Sequence, residues 1–336
     1  MRCDFCEHRC NLSPGQTGRC GVRRRDASAG MPDAPAATDG IRTVNYGDVV
    51  SLAIDPIEKK PLYHVFPGAS ALSVALFGCN FRCDFCQNWS ISQPEYRDRH
   101  AYRTAGPDDI VARMADAFDP DATRVVAFTY SEPTVWQDYM IDCSTAVHDA
   151  GGLTAMVTNG FFTEEALSRI LPVIDAFNID CKGGDEFYRR LCGGRLEPVL
   201  RNIRSIAAAE SAILEVTTML LEGVHSVDEI VGLGHELADA GVAVWHLSRF
   251  HPAHGMQDHR PTRSGFLDDV CRRIDAEISI PHVYAFGGSE DRREKTWCPS
   301  CGALCVDRDR FAATRNLMDH GRCPSCAGPV YGLFSR

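Results

Sequence analysis

The sequence has few lysines and no excess of positive charge. Only four of its 35 basic residues are lysines, and 45 acidic residues bring the net charge to −10. Proteins that bind nucleic acids or membrane surfaces usually carry a basic excess, so we expect neither partner. No apolar run approaches the roughly 20 residues that cross a bilayer, and residues 1–25 lack the apolar region of a secretory signal. These absences predict a cytoplasmic protein without membrane contact.

Cysteine, in contrast, is abundant. A chain of 336 residues with 44% hydrophobic and 24% charged residues has the composition of a folded globular protein with one or two domains. Since disulfides are rare in the cytosol, its 16 cysteines point to metal binding. Twelve of them form three sets: Cys3, Cys6, Cys10 and Cys20; Cys79, Cys83 and Cys86; and Cys298, Cys301, Cys305, Cys323 and Cys326.

The four cysteines outside these sets and the few lysines lead to less specific predictions. Three lysines, Lys59, Lys60 and Lys182, lie in segments with other candidate functional residues. Lysine offers a compact charge with a tunable pKa, which favours a functional role for these three residues. The alternative is that they remain by chance in a sequence that generally prefers arginine. Four cysteines are predicted to be small buried side chains, namely Cys143, Cys181, Cys192 and Cys271.

Short apolar runs alternate with helical patterns from about residue 72 onward. The predicted strands are 72–77, 124–129, 153–158, 173–179, 212–219, 243–247 and 282–286, and the predicted helices include 108–118, 134–150, 163–171, 197–209 and 226–240. Gly151 and Gly241 follow two of these helices as stop signals. Because such strands form parallel sheets covered by helices, we predict an α/β fold built as a partial (βα)6 TIM-like barrel. In barrels the chemistry lies at the carboxyl ends of the strands.

The chain on either side of the predicted barrel differs in composition. Residues 26–40 are rich in Ala, Pro, Asp and Gly and have no periodicity, which predicts a flexible linker. From about residue 288 the strand–helix alternation stops and a Cys-rich segment begins. We therefore predict a Cys-rich metal-binding module over 1–25, a linker over 26–40, the barrel over 41–287 and a zinc-ribbon-like module over 288–336.

The second cysteine set is a C-x3-C-x2-C array, Cys79-Asn-Phe-Arg-Cys83-Asp-Phe-Cys86, directly after the first predicted strand. Three thiolates cannot complete a tetrahedral structural zinc site, but they can hold three irons of a [4Fe–4S] cluster and leave the fourth iron open. With Phe85 before the last cysteine, the array resembles that of the radical S-adenosylmethionine (SAM) superfamily. The resemblance implies a radical SAM barrel whose cluster reductively cleaves SAM to a 5′-deoxyadenosyl radical, which abstracts hydrogen from a substrate.

The flanking segments resemble one group within that superfamily. Residues 55–64 (Asp-Pro-Ile-Glu-Lys-Lys-Pro-Leu-Tyr-His), 66–68 (Phe-Pro-Gly) and 86–89 (Cys-Gln-Asn-Trp) are similar to the radical SAM enzyme of the AmmeMemoRadiSam system, a relative of the pyruvate formate-lyase activating enzymes. The likeness covers nearly the whole chain, apart from the insertion at 26–40, and gives no substrate. It implies reduced ferredoxin or flavodoxin as electron donor and Memo-like and AMMECR-like proteins as partners.

The resemblance also assigns residues at three further strand ends to SAM. In residues 129–133 (Thr-Tyr-Ser-Glu-Pro) Tyr130-Ser131 replaces the superfamily's glycine pair. Before residues 158–161 (Thr-Asn-Gly-Phe) this chain has Val157, where the activating enzymes often have Asp. Each of the three segments also has an interpretation without SAM. These are a solvated Glu132, an ordinary Asn-Gly turn at 159–160 and an Asp180–Lys182 ion pair at the barrel rim. We predict that SAM is bound by Ser131, Glu132, Thr158, Asn159, Asp180 and Lys182.

A histidine-rich segment follows the sixth predicted strand, where residues 245–254 are Trp-His-Leu-Ser-Arg-Phe-His-Pro-Ala-His. Histidines with this spacing are able to bind a metal, and His246, His251, His254 and His259 are the candidates. The resemblance instead implies a rim that faces the substrate or the adenosine, with Arg249 and His251 lining the active site.

Cys298-Pro-Ser-Cys301 and Cys323-Pro-Ser-Cys326 are two C-x2-C knuckles with the spacing of a zinc ribbon. Tetrahedral sulfur ligation suits zinc and rubredoxin-like iron alike. The charges around the knuckles are mixed, for example Asp307 beside Arg308, so a structural or protein-docking role is expected rather than nucleic-acid binding. Cys305 is a spare thiol beside the ribbon.

The first cysteine set also has enough ligands to close a site, which would hold zinc or an auxiliary Fe–S cluster. Its members are Cys3, Cys6, Cys10 and Cys20. The triple arginine that follows, residues 23–25, is expected to be solvated surface.

Two other functions explain part of the sequence. A non-catalytic Fe–S electron carrier accounts for the cysteines but not for the barrel or an open iron, and a zinc-ribbon interaction module accounts for the C-terminal set alone. Within the radical SAM hypothesis, activation of a glycyl-radical enzyme is the specific alternative to another protein or small-molecule substrate.

Overall fold

Strands and helices alternate through the computed structural model, which describes residues 1–26, 40–99 and 101–334. The strands are β1 (Arg23–Arg25), β2 (Ile41–Thr43), β3 (Asp48–Pro56), β4 (Ser70–Leu76), β5 (Arg103–Thr104), β6 (Val125–Phe128), β7 (Leu153–Thr158), β8 (Ala176–Asp180), β9 (Ile213–Leu220), β10 (Val244–Arg249), β11 (His282–Phe286), β12 (Thr296–Trp297), β13 (Leu304–Asp309) and β14 (Ala312–Asn316).

The helices connect these strands. The α-helices are α1 (Trp89–Ser92), α2 (Pro107–Ala117), α3 (Gln137–Asp149), α4 (Glu164–Ile170), α5 (Asp185–Phe187), α6 (Leu196–Ala207), α7 (Val227–Asp239) and α8 (Ser264–Glu277). A π-helix lies at Tyr188–Cys192, and 3-10 turns at Ile57–Lys59, Pro94–Arg99, Pro133–Trp136, Leu171–Val173, His254–Met256 and Asp291–Glu294. Within the described ranges, no helix combines the length and apolar character needed to cross a membrane.

Nine strands join in one sheet with the order β11-β10-β9-β8-β7-β6-β4-β3-β5. The seven strands from β11 to β4 are parallel, whereas β3 pairs antiparallel with β4 and β5 pairs antiparallel with β3. The six crossovers between parallel strands contain α2, α3, α4, α6, α7 and α8. The sheet is open, with β11 and β5 as its two edge strands, so the barrel is partial. The predicted α/β fold with a partial (βα)6 barrel is confirmed.

Apolar patterning located these elements well because the barrel strands are buried. All four residues of β6 are buried, and each fully buried aliphatic or aromatic side chain contributes about 1.5–3 kcal/mol. Every predicted strand and helix is present with ends within three residues. The two largest shifts, of three residues each, are at the starts of α3 and β8, where 3-10 turns at Pro133–Trp136 and Leu171–Val173 precede the element. Gly151 and Gly241 have φ of +72° and +81°, as stop signals require.

The N-terminal segment packs against the barrel. Cys6 forms an isolated bridge with Phe162. The expectation of a solvated triple arginine is wrong for Arg23, which is 1% exposed. Its guanidinium lies 3.5 Å above the Phe5 ring and forms an ion pair with Asp138. Apolar patterning cannot anticipate this burial, because the cation is paired on a surface that only the fold creates. The predicted linker, apart from its two end residues, lies outside the described residues.

The C-terminal segment forms a second small sheet, in which β12, β13 and β14 are antiparallel. Its last residues return to the barrel, where the N–H of Leu333 donates to the His64 carbonyl at 2.7 Å and the N–H of Phe66 donates to the Leu333 carbonyl at 2.7 Å. Arg308 of β13 is fully buried against the barrel. The ribbon is therefore packed onto the core, although the boundaries predicted for the domains stay predictions.

Candidate active site

A cavity of about 580 Å³ opens where the parallel strands end. Residues from the loop after β4 and from the ends of β6, β7, β8, β10 and β11 line it. The structure thereby brings together all the residues predicted for the cluster, SAM and the active-site lining: Cys79, Cys83, Cys86, Ser131, Glu132, Thr158, Asn159, Asp180, Lys182, Arg249 and His251. Their roles stay predictions, whereas their convergence on one cavity is a property of the fold.

The three-cysteine loop leaves β4 at the wall of this cavity. Gly78 has a φ of +116°, and a side chain at that position would come within 2.9 Å of Val22. The Arg82 guanidinium donates to the carbonyl oxygens of Cys79 at 3.0 Å and Phe81 at 2.8 Å. The loop is therefore held in shape by its own arginine and by close packing at its first residue.

The π-helix braces the loop from another side. The backbone N–H of Arg82 donates to the Cys192 carbonyl at 2.9 Å, and that of Asp84 donates to the Leu191 carbonyl at 3.1 Å. Cys192 is fully buried, as predicted. Its thiol also hydrogen-bonds to that of Cys83, and this contact together with burial raises the pKa of Cys83. No spacing in the sequence indicates this contact, because residue 192 lies far along the chain.

The thiols of the loop fit a multi-iron cluster better than a single ion. Burial raises the pKa of Cys79 well above its usual value and that of Cys86 to about 11, so both are protonated until a metal displaces the proton. Across the described residues, only a C-terminal group has ligand atoms all within 4.8 Å of one another, as one ion requires. Wider spacing suits a cluster in which each cysteine binds a different iron.

Glu132 presents a buried carboxylate beside the loop and is 2% exposed. Its Oε1 accepts hydrogen bonds from the Thr158 hydroxyl at 2.6 Å and the Thr134 N–H at 3.1 Å, and its Oε2 accepts from the Asn159 N–H at 2.8 Å. Burial raises the pKa of Glu132, and these hydrogen bonds oppose the rise. Since a carboxylate has about four acceptor positions, one position on Oε2 is left for a ligand.

Asn159 connects the end of β7 to the cysteine loop. Its side-chain amide donates to Asn80 Oδ1 at 2.6 Å and to Cys79 Sγ at 3.7 Å. Its own Oδ1 accepts from the N–H of Phe161 at 2.9 Å, and Gly160 between them has a φ of +69°. The turn is thus an Asn-Gly turn that also orients Cys79, a positioning role that the sequence pattern did not indicate.

Asp180 and Lys182 form an ion pair at the end of β8, with Nζ 2.7 Å from Oδ2. Burial alone would lower the pKa of Lys182, but the charges of Asp180, Cys83 and Cys192 outweigh it and raise the pKa. Lys182 is therefore cationic and lies close enough to the loop to be influenced by its thiols.

The sequence analysis did not predict a second polar group in the cavity, which consists of Lys60, Asp55 and Tyr130. Lys60 is 3% exposed, and its Nζ donates to Asp55 Oδ2 at 2.8 Å and to the Tyr130 hydroxyl at 3.1 Å. Burial opposes ionisation of Asp55, yet the hydrogen bonds from Lys60 and Tyr130 hold its pKa below the usual range. Tyr130 has a φ of +68°, which is a costly conformation for a residue other than glycine. The hydrogen bonds of its side chain hold Tyr130 in this conformation. Lys59, Lys60 and Lys182 all line the cavity.

The histidines of the segment after β10 do not gather around a metal. His246 is buried, with Nε2 2.6 Å from Oε2 of the fully buried Glu215, and His254 stacks on Trp89 with ring centroids 5.6 Å apart. In the described part of the chain, no metal-ligand group includes a histidine. His251 lines the cavity instead, as the rim interpretation expects.

Arg249 lines the same cavity with its side chain partly engaged. Its Nε donates to the Thr262 carbonyl at 2.6 Å and its Nη1 to the Gly287 carbonyl at 3.2 Å. Phe311 of the C-terminal ribbon also reaches the cavity and stacks on Phe286 with ring centroids 4.5 Å apart. The ribbon thus forms part of the cavity wall, which the domain-wise sequence analysis did not anticipate.

Sequence comparison identifies the family of this protein. The radical SAM superfamily profile matches residues 74–242, which are 169 of the 336 residues. The chain belongs to the radical SAM superfamily. The match begins inside β4 and includes the three-cysteine loop, Glu132, Asn159 and the Asp180–Lys182 pair. Members of this superfamily are generally enzymes that contain an Fe–S cluster and use SAM.

Individual proteins are similar to this chain over different shares of its length. The uncharacterized protein MJ0808 of Methanocaldococcus jannaschii is 36% identical to this radical SAM protein, over 98% of this chain and 95% of its own length. MJ1632 of the same organism, which carries the name of a glycyl-radical enzyme activating enzyme, is 23% identical over 47% of this chain and 59% of its own. The structure of Streptococcus suis SuiB bound to S-adenosylmethionine matches with a TM-score of 0.51 and 12% identity, over 69% of this chain and about half (53%) of SuiB. SuiB shares the fold.

The C-terminal knuckles of this radical SAM protein form a compact thiol group. The Sγ atoms of Cys298 and Cys326 are 3.7 Å apart and those of Cys301 and Cys323 are 3.6 Å apart. Four sulfurs at about 2.3 Å from a tetrahedral metal lie about 3.8 Å from one another, so the group fits one ion. Cys305 is buried in the same ribbon but stands outside this group.

We expect Cys326→Ala to release about one metal ion per chain, because a tetrahedral site with three protein ligands left no longer closes. Metal content by mass spectrometry of the purified protein is the measurement. Cys305→Ala is the matched control and should retain the ion. Retention of the ion by the Cys326 variant would contradict the assignment.

The N-terminal cysteines lie near one another but less tightly. Burial raises the pKa of Cys3 to about 11, and the charges of Cys20 and Cys10 add to the rise. Cys3, Cys6 and Cys20 are buried and Cys10 is half-buried. They do not meet the single-ion spacing that the C-terminal group meets. The set is thus a further candidate metal site whose occupant is a proposal.

Proposed function

We propose that this protein cleaves SAM reductively in the cavity and passes the resulting radical to a substrate, which is a protein or a small molecule. The observation that carries the proposal is the meeting of Cys79, Cys83 and Cys86 with the buried Glu132 carboxylate in one cavity. Cys79, Cys83 and Cys86 would hold a [4Fe–4S] cluster, which would supply the one electron needed to split SAM into methionine and a 5′-deoxyadenosyl radical.

The chain's own residues would bind and orient SAM. The remaining acceptor position on Glu132 Oε2 suits the methionine ammonium, and the cationic Lys182 suits the methionine carboxylate. Thr158 and Asn159 hold Glu132 in place through the hydrogen bonds to its carboxylate. The Ser131 hydroxyl donates to a backbone carbonyl and accepts from Trp136 Nε1 at 3.1 Å, so it fixes the strand end. Preorganised groups of this kind avoid reorganisation during the reaction.

Activation of a glycyl-radical enzyme is a second candidate function. The likeness to MJ1632 supports it, as does the similarity of residues 158–161 to the activating enzymes. The similarity of residues 55–64 supports placement in the AmmeMemoRadiSam group, with Memo-like and AMMECR-like proteins as partners. Reduced ferredoxin or flavodoxin is the proposed electron donor.

The outer cysteine sets would serve other purposes. We propose zinc, with iron as the alternative, for the C-terminal group, since its four thiols close a tetrahedral site. The wider N-terminal set suits an auxiliary Fe–S cluster, with zinc as the alternative. About eight irons per chain would establish the second cluster, and about four with one or two zinc ions would assign zinc to the outer sites.

The test of the proposed function is anaerobic reconstitution with iron and sulfide, followed by reduction and addition of SAM. We expect 5′-deoxyadenosine in the products and a change in the EPR spectrum of the reduced cluster when SAM is added. A cluster that reduces normally but shows neither effect would refute the proposal and favour an electron carrier. A glycyl radical on an added partner protein would select the second candidate.

A further inference from the structure

Asn159 lies between two groups of the candidate active site, the Cys79 thiol and the Glu132 carboxylate. It follows β7, is 6% exposed and lines the cavity. Its backbone N–H donates to Glu132 Oε2 at 2.8 Å, and its side-chain amide donates to Cys79 Sγ at 3.7 Å. A single residue therefore contacts both the proposed SAM ligand and the proposed cluster ligand.

The hydrogen-bond donors of Asn159 are all in use. An asparagine side chain has two N–H donors, and the amide nitrogen donates to Asn80 Oδ1 at 2.6 Å as well as to Cys79 Sγ. The side-chain oxygen accepts from the N–H of Phe161 at 2.9 Å. A molecule in the cavity would receive a hydrogen bond from Asn159 only if one of these bonds broke, so the residue acts through its neighbours.

The turn that carries this amide is fixed by the barrel. The side-chain amide of the buried Asn202 donates to the carbonyl oxygens of Gly160 at 2.8 Å and Phe162 at 2.7 Å. The side-chain amide of Asn80 donates to the Phe161 carbonyl at 3.1 Å. The donor is thus held against the sulfur by the fold itself, as preorganised polar groups are.

An N–H donor on a cysteine ligand changes the reduction potential of an Fe–S cluster. The reduced cluster carries one more negative charge, so a hydrogen bond to its sulfur stabilises the reduced state more than the oxidised state. Cys79 Sγ accepts two such bonds, one from the backbone N–H of Phe81 at 3.3 Å and one from Asn159. The bond from Asn159 is the one that a side-chain substitution removes.

We propose that Asn159 is a positioning residue that raises the reduction potential of the cluster at the cysteine loop through Cys79, without contacting SAM through its side chain. This inference rests on the proposed function. The amide keeps its protons throughout, and the cluster gains one electron with no bond made or broken. Groups that hydrogen-bond to metal ligands commonly tune the metal in this way.

The test is a redox titration of the reconstituted full-length protein, in which dithionite supplies the electrons, viologen dyes act as mediators and EPR measures the reduced cluster. Asn159→Leu removes both side-chain donors but keeps the backbone N–H that binds Glu132. At the potential where the wild-type cluster is half reduced, we expect the ratio of reduced to oxidised cluster to fall roughly 3- to 10-fold. A tenfold fall equals about 59 mV for a one-electron couple.

Asn159→Asp is the second variant, for use if Asn159→Leu assembles less cluster than wild type. It has nearly the same shape and keeps the oxygen that accepts from Phe161, but it has no N–H to offer Cys79 and it adds negative charge. The ratio should fall at least as far as in Asn159→Leu. The Kd of SAM, measured by equilibrium dialysis with the oxidised cluster, should stay close to the wild-type value in Asn159→Leu.

The matched control is Asn202→Ala, which removes two hydrogen bonds from the same turn but none from Cys79 or Glu132. It should lower the melting temperature and leave the reduction potential close to that of wild type. Asn159 variants that titrate like wild type, or that shift no further than Asn202→Ala, would overturn the proposal. So would a higher Kd for SAM with an unchanged potential, because Asn159 would then bind SAM directly. A wild-type cluster that is fully reduced but forms no 5′-deoxyadenosine from SAM would instead refute the proposed function.

Discussion

Cys83→Ala is expected to lower the iron content of the reconstituted protein by about four irons per chain and to reduce 5′-deoxyadenosine formation to background. The loop offers three thiols to its cluster, and Cys83 is the member most enclosed by the fold, with a 7% exposed side chain and a contact to Cys192. Two remaining ligands hold a cluster poorly, so the variant should lose the cluster that would supply the electron. Iron and sulfide analysis and chromatography of the SAM products measure both effects.

Cys271→Ala is the control for this experiment. Cys271 is also buried, at 3% exposure, but it lies on α8 and outside the cavity. Its loss should leave iron content and SAM cleavage within twofold of wild type, with a destabilisation of about 1 kcal/mol. SAM cleavage by the Cys83 variant at more than a few per cent of the wild-type rate would show that the loop does not hold the catalytic cluster.

The barrel could be predicted because its strands are apolar along their whole length. Leucine, valine and alanine runs such as β4 and β6 are buried on both faces, so the runs themselves mark the strands. Once the strands are parallel, their carboxyl ends share one edge. Glu132 and Asp180 therefore had to lie near the cysteine loop, and the structure places them there.

The parts that escaped prediction depend on pairings that no periodicity records. Lys60 follows Asp55 by five residues, and it reaches Tyr130 because β4 pairs with β3 on one side and with β6 on the other. Cys192 meets Cys83 through a π-helix, a rare element often found at functional sites. In each case a local sequence signal existed, a lysine or a cysteine, but one of its partners, Tyr130 for Lys60 and Cys83 for Cys192, lies far away in the chain.

Buried arginines were missed for a related reason. Arg23 and Arg308 stand in charged segments that suggest solvated surface, yet each is enclosed where a peripheral module meets the barrel. A charge is buried at low cost only when the opposite surface supplies a partner, and the carboxylates paired with these two arginines, Asp138 and Glu58, come from the barrel. The sequence of the module alone therefore cannot distinguish such a residue from its solvated neighbours.

Arg308→Met is expected to lower the free energy of unfolding by about 3–5 kcal/mol, the loss typical when one partner of a buried ion pair is removed. Arg308 Nη2 donates to the Tyr63 carbonyl at 2.6 Å and Nη1 to the Thr296 hydroxyl at 2.8 Å. Its Nε lies 3.6 Å from Glu58 Oε1, and both side chains are fully buried. Urea denaturation of the metal-loaded protein measures the loss, and Arg310→Met, an exposed site on the same hairpin, should change stability by less than about 0.5 kcal/mol.

The double variant Glu58→Gln/Arg308→Met separates the charge from the packing. Without Arg308, the buried Glu58 carboxylate keeps the hydrogen bond from the Gly68 N–H at 2.8 Å but loses the opposite charge beside it, so removing its charge should restore at least half of the loss. Failure of the double variant to recover would show that the arginine acts through its stem and its carbonyl contacts.

Since Phe311 extends from the same hairpin to Phe286 at the cavity wall, weaker anchoring at Arg308 should also weaken SAM binding, measured as a higher Kd by equilibrium dialysis. The buried pair thus connects the C-terminal ribbon to the cavity proposed to bind SAM.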